Sequence, residues 1–137
     1  MSKKILVVDD DPDLIETASI ILKSRNFQVI AAYGGLEGLE KAKGERPDLI
    51  ILDVMMPDKD GYTVCKELKA DPILNSIPVL LLTAVVSHIP TTRYTLRMGM
   101  ETEADDYIDK PVEPAVLVDR IEALLAKSEK LNNELYH

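Results

Sequence analysis

Five short apolar runs, separated by stretches with helical spacing, restrict this chain more than any other feature. They fall at residues 4–8, 27–31, 49–52, 79–82 and, more weakly, 107–108. The first, third and fourth are almost uninterrupted Ile, Leu and Val, the composition of strands buried on both faces of a parallel sheet. Between them the helical signals are local and specific. Asp11, Pro12 and Asp13 read as N-cap, first helical residue and acidic first turn. Behind them Leu14, Ile15, Ala18, Ile21 and Leu22 share one stripe. A second helix is expected over 34–43, closed by Gly44 just past its end. A third should run from Gly61 to Ala70 and stop before Asp71-Pro72, a fourth lie within 90–100, and the last begin near Glu113. Strand alternating with helix in this way gives a doubly wound α/β sandwich of three layers.

At 137 residues and 46% hydrophobic, the chain suits one such domain and is too short for two ordinary ones. A net charge of −8 argues against nucleic-acid binding through a basic face. The single cysteine, Cys65, excludes an internal disulfide and favours a reducing compartment. With no signal-peptide pattern and no apolar stretch of bilayer length, a cytoplasmic protein without membrane contact is expected.

In parallel sheets of this kind ligands bind beyond the carboxyl ends of the strands. The first run ends in Asp9-Asp10, the third in Asp53, the fourth in Thr83, and the fifth is followed by Lys110. Carboxylates gathered there would repel by about 4 kcal/mol per pair at a separation of about 4 Å and an effective dielectric near 20. A counter-charge is needed. With oxygen ligands and no His or Cys at hand, Mg²⁺ fits better than Zn²⁺, and Lys110 supplies a second positive charge. Such a cluster can neutralise the oxygens of an incoming phosphoryl group while one carboxylate attacks phosphorus. Thr83 can donate its hydroxyl to a phosphoryl oxygen, and Ala84 leaves the approach open. Asp11, Asp58 and Asp60 are explained by capping and turn chemistry alone.

These residues carry a resemblance to the response-regulator receiver domains of two-component signal transduction, the CheY-like superfamily. The matching stretches are Ile5-Leu6-Val7-Val8-Asp9-Asp10, Asp48 through Pro57, Asp60-Gly61, Leu81-Leu82-Thr83-Ala84 and Ala104 through Pro111. The resemblance implies a flavodoxin-like (βα)5 fold with strand order 2-1-3-4-5. It makes Asp53 the phosphoacceptor, with Mg²⁺ bound by Asp10, Asp53 and the backbone carbonyl of Met55, and by Asp9 through water. It assigns Thr83 and Lys110 to the phosphoryl oxygens and Tyr107 to an aromatic switch coupled to Thr83. The Lys110–Pro111 bond is expected to be cis. The donor would be a histidine kinase, a phosphotransfer protein or a small phosphodonor. The chain would then be a signalling switch that assists its own phosphorylation and dephosphorylation, not an enzyme acting on outside substrates. Two rivals are a phosphorylation-independent interaction module and an aspartate-dependent phosphohydrolase. The first typically loses a member of the acidic–Lys set, complete here. The second wants an acid two positions after the nucleophile, where this chain has Met55.

The chain departs from the family pattern in several places. The stretch between Thr83 and Lys110 is several residues longer than usual, the excess falling in 85–90 or 98–104. Met55 and Val85 flank the phosphorylation site with apolar side chains, which implies slow self-dephosphorylation. Val112 follows Pro111 where the family often has Phe. In the last helix Leu117, Ile121, Leu124, Ser128, Leu131 and Leu135 alternate in steps of four and three, a heptad seam. The receiver domain is therefore assigned to 1–126 and a helical extension to 127–137, which reads as a frayed terminal tail, a homodimer contact through the last helices or a link to an output domain. Gly34, Gly35 and Gly38 lack the Lys-Ser/Thr pair of a phosphate loop. Cys65 reads as core, His88 and His137 have no ligand spacing, Met98 and Met100 read as packing, and Arg93 and Arg97 as a solvated face.

Overall fold

The alternation of strand and helix closes into one sheet. The structure, a computed structural model, describes residues 2–83 and 104–135. In chain order these form β1 (Lys4–Val8), α1 (Pro12–Ser24), β2 (Gln28–Ala32), α2 (Gly35–Glu45), β3 (Leu49–Asp53), α3 (Gly61–Ala70), β4 (Val79–Thr83), β5 (Asp106–Asp109) and a last helix, Pro114–Leu135. All strand pairings are parallel and the order is β2-β1-β3-β4-β5, as expected. The expected helix within 90–100, the lengthened stretch after Thr83, and Ala84, Val85, His88, Arg93, Arg97, Met98, Met100 and His137 lie outside the described residues.

Alternation along the strands sorts the core into two layers. Ile5, Val7, Leu49, Ile51, Leu80, Leu82 and Ile108 meet α1 and the last helix. Leu6, Val8, Ile50, Leu52, Val79 and Leu81 meet α2 and α3, with Cys65 fully buried among them. The central strands β3 and β4 are buried at every position, which is why their sequences carry no polar alternation.

Helix starts follow local chemistry. Asp11 caps α1 by accepting from the Asp13 amide, with Pro12 as first helical residue, and Asp60 caps α3 through the Thr63 amide at 2.9 Å. Two boundaries differ from the sequence expectation. Helix α2 continues past Gly44 to Glu45 and is capped by Arg46, which takes the left-handed conformation at φ 45°. Packing decides this: Ala42 is fully buried, and the Arg46 amide bonds its carbonyl at 3.0 Å, carrying the helix past its expected end to Glu45. Phe27 stays out of β2 because its amide bonds the Leu22 carbonyl, closing α1.

The last helix buries Leu117, Val118, Ile121, Leu124 and Leu125. That stripe is wider than the two-position seam read from sequence and suits packing on a sheet. Leu131 is 51% exposed beyond it, while the Leu135 side chain lies outside the described residues. Among the described residues no helix is long and apolar enough to cross a membrane.

Candidate functional site: an acidic pocket at the strand ends

The parallel register sets the strand ends side by side. Val8 pairs with Leu52, Asp53 with Leu82 and Thr83 with Asp109. By alternation Asp9, Asp53 and Lys110 continue the layer of α1 and the last helix, and there they meet. Oxygens of Asp9, Asp10 and Asp53 lie within 4.8 Å of one another. Lys110 Nζ stands 3.1 Å from Asp9 Oδ2 and 2.9 Å from Asp53 Oδ1. Asp9 and Asp53 are almost wholly buried and Asp10 is exposed at the mouth. The Asp11 amide donates to Asp9 Oδ1 at 2.9 Å, fixing that carboxylate.

Burial raises the pKa of Asp53 above its ordinary 3.8; Lys110 opposes this and Asp10 adds to it. Burial likewise raises Asp9, against the Asp11 amide and Lys110. For Lys110 burial pulls downward, but hydrogen bonding to Asp53 and Asp9 outweighs it and leaves the pKa above 10.5. One ammonium thus serves two buried carboxylates. Among the described residues the buried Asp53 Oδ1 has this ion pair but no aligned hydrogen bond. A buried, under-satisfied carboxylate oxygen beside two more carboxylates is the donor set of a hard divalent cation, so the residues present fit a metal site.

The loop after β3 is held on two sides. The Gly61 amide bonds the Val54 carbonyl at 2.9 Å, and a Cβ at Gly61 would collide with the Asp53 carbonyl. Asp58 reaches across the chain to accept from the Gly35 and Leu36 amides at 3.1 and 3.0 Å, capping α2. These two bonds draw the Asp58 pKa downward. Gly35 permits the approach, since a Cβ there would sit 2.6 Å from the Lys59 carbonyl oxygen. Sequence reasoning took Asp58 for a turn former; its tertiary role had no local signal. Met55, on this loop, is 67% exposed.

Thr83 and Tyr107 share the other parity, and Tyr107 packs against the layer of α2 and α3. The Thr83 hydroxyl donates to Asp109 Oδ1 at 2.8 Å. Asp109 was not among the residues singled out from sequence, although its place opposite Thr83 follows from register. The Lys110–Pro111 bond is cis, as expected.

An open parallel sheet in the order 2-1-3-4-5 with an acidic pocket at its carboxyl edge is the flavodoxin-like arrangement expected from the sequence. The family model described as "Response regulator receiver domain" matches residues 5–122, and the chain belongs to that family. It is 41% identical over 129 residues to the alkaline phosphatase synthesis transcriptional regulatory protein PhoP of Bacillus subtilis, covering 94% of this chain and 51% of PhoP. It is 38% identical to the DNA-binding response regulator MtrA of Mycolicibacterium smegmatis, covering 94% and 53%. The chain therefore spans about half the length of the curated relatives it matches. Among solved structures, the signal receiver domain of a signal transduction histidine kinase from Syntrophus aciditrophicus superposes with a TM-score of 0.84 at 36% identity, covering 92% of each chain. Receiver domains of this family are signalling modules of two-component systems, not enzymes in the ordinary sense.

Proposed function

We propose that Asp53 accepts a phosphoryl group from a histidine kinase or phosphotransfer protein, and that the fold relays the event as a two-state switch. The observation that carries this reading is the buried Asp53 carboxylate held 2.9 Å from Lys110 beside Asp9 and Asp10. Asp10, Asp53 and the Met55 carbonyl would hold Mg²⁺, with Asp9 acting through water. When bound, Mg²⁺ supplies positive charge to the phosphoryl oxygens. An Asp53 oxygen attacks phosphorus; the new O–P bond forms as the P–N bond to the donor histidine breaks, giving an aspartyl phosphate and free imidazole. Lys110 stays protonated throughout and exchanges part of its contact with Asp53 for a phosphoryl oxygen. Thr83 turns its hydroxyl to another of these oxygens, and Tyr107 follows into the space Thr83 leaves.

The receiver unit is assigned to residues 1–126 and the helical extension to 127–137. The extension offers a contact between two copies or a lead to an output segment, as the DNA-binding names of the relatives suggest. A cytoplasmic setting suits the kinase partner. The test is incubation with acetyl phosphate and Mg²⁺ followed by intact mass. The expected result is a gain of one phosphoryl group that Asp53→Asn abolishes. Multiple turnover of the donor without a persistent adduct would favour a hydrolase and sink the switch; no uptake at all would leave an interaction module.

A further inference from the structure

We propose that Asp109 is a latch: it holds the Thr83 hydroxyl away from the acidic pocket and sets how readily the pocket accepts a phosphoryl group. The inference rests on the reading of Asp53 given above and adds a residue to it.

Thr83 and Asp109 are direct partners in the parallel β4–β5 ladder, so their side chains leave the sheet on the same face. Alternation identifies that face. Leu81, two residues before Thr83, and Tyr107, two before Asp109, both belong to the layer of α2 and α3. Asp53 and Lys110 follow the opposite parity. The hydroxyl accordingly finds Asp109 Oδ1 at 2.8 Å, with the Ile108 carbonyl oxygen at the longer distance of 3.5 Å.

Thr83 has a single hydroxyl proton to donate. While Asp109 accepts it, a phosphoryl oxygen on Asp53 cannot. The bond is to an ionised acceptor, which makes it stronger than an ordinary hydroxyl contact. Thr83 is itself only 8% exposed, so water competes poorly for its proton. Asp109 is exposed and rehydrates when released. The latch is thus firm enough to bias the resting arrangement and weak enough to open once a better-placed anion occupies the pocket. Asp109 is a positioning residue acting through Thr83, and its removal should favour the arrangement that binds the phosphoryl group.

The test uses beryllofluoride with Mg²⁺ as a non-covalent stand-in for the phosphoryl group, its dissociation constant read by calorimetry. Asp109→Ala should bind about fivefold to tenfold more tightly than the unaltered chain, the range expected for one charge-assisted hydrogen bond to a partly solvated acceptor. Asp109→Asn, which keeps an acceptor but no charge, should show a smaller gain. In a Thr83→Ala background the same Asp109→Ala change should do nothing. An unchanged or weaker constant for Asp109→Ala overturns the latch, as does a gain that persists undiminished without Thr83, since that would be a simple charge effect. If the unaltered chain binds no beryllofluoride, the phosphoacceptor reading fails and the latch with it. If it binds and Asp109→Ala changes nothing, the latch alone fails.

Discussion

Replacing Asp53 with Asn should make the metal-free protein more stable, although it removes one partner of a buried ion pair. At separations within 4.8 Å and an effective dielectric near 20, the Asp9 carboxylate repels that of Asp53 by about 3.5 kcal/mol. Asp10 repels it by less, because it is exposed and screened. Lys110, at 2.9 Å, attracts it by about 6 kcal/mol on the same scale, but the same ammonium also neutralises Asp9. These terms nearly cancel. What remains is the dehydration of the Asp53 carboxylate, several kcal/mol for an ion taken out of water. Asn keeps part of the polar burial cost, so the expected gain is about 2 kcal/mol, or about 6–10 °C in Tm for a chain of this size. The pH dependence has a definite sign. A carboxylate whose folded pKa is raised binds more protons in the folded than in the unfolded state. Its contribution to stability is therefore fully present below the ordinary 3.8 and declines as pH rises through the raised value. The Asp53→Asn variant should lose less stability over that interval, keeping only the share due to Asp9. Thermal melts in chelator from pH 4 upward, repeated with Mg²⁺, are the assay; Mg²⁺ should raise the Tm of the unaltered chain far more than that of the variant. A variant that melts at or below the unaltered protein in chelator at neutral pH would refute this account of the pocket.

Met55→Asn should speed loss of the phosphoryl group about tenfold, by placing a polar side chain where an attacking water can be oriented; the check is the decay of the intact-mass adduct, and a half-life of seconds in the unaltered chain would contradict the premise. Val112→Phe should raise the Tm by a few degrees, corresponding to about 1 kcal/mol, because Val112 borders a cavity of about 280 Å³ with Leu14, Ala18, Ile21 and Leu117; a lower Tm would mean that the space cannot accept a ring. Asp58→Ala should cost about 1–2 kcal/mol in chemical denaturation, as loss of a helix cap does, and should weaken Mg²⁺ binding by loosening the loop that carries Met55. An unaltered Mg²⁺ constant would confine Asp58 to a structural role.

Legibility in the sequence followed the range of the forces involved. Strands β1, β3 and β4 announced themselves because burial on both faces demands uninterrupted apolar runs. Caps such as Asp11 and Asp60 act over two or three residues and were readable for that reason. Asp9, Asp10, Asp53 and Lys110 were legible as a group because each ends or follows a strand, and the sheet brings such positions together. The misses have tertiary causes. Gly44 looked like a helix stop, yet burial of Ala42 carried α2 past it. Phe27 looked like strand, yet its amide was needed to close α1. Asp58 and Asp109 were passed over because the partners that give them meaning lie 22–26 residues away. A register drawn between β4 and β5 would have paired Asp109 with Thr83, but that register depends on where β5 begins, and β5 was the weakest of the five runs.

The opposed parities of Asp53 and Thr83 start their side chains on different sides of a partition one backbone thick. On the proposed reading the Thr83 hydroxyl has to swing past the carboxyl tip of β4, where that partition ends, to reach a modified Asp53 carboxylate. An event on the α1 side of the sheet would thus be felt on the Tyr107 side by way of the sheet's rim.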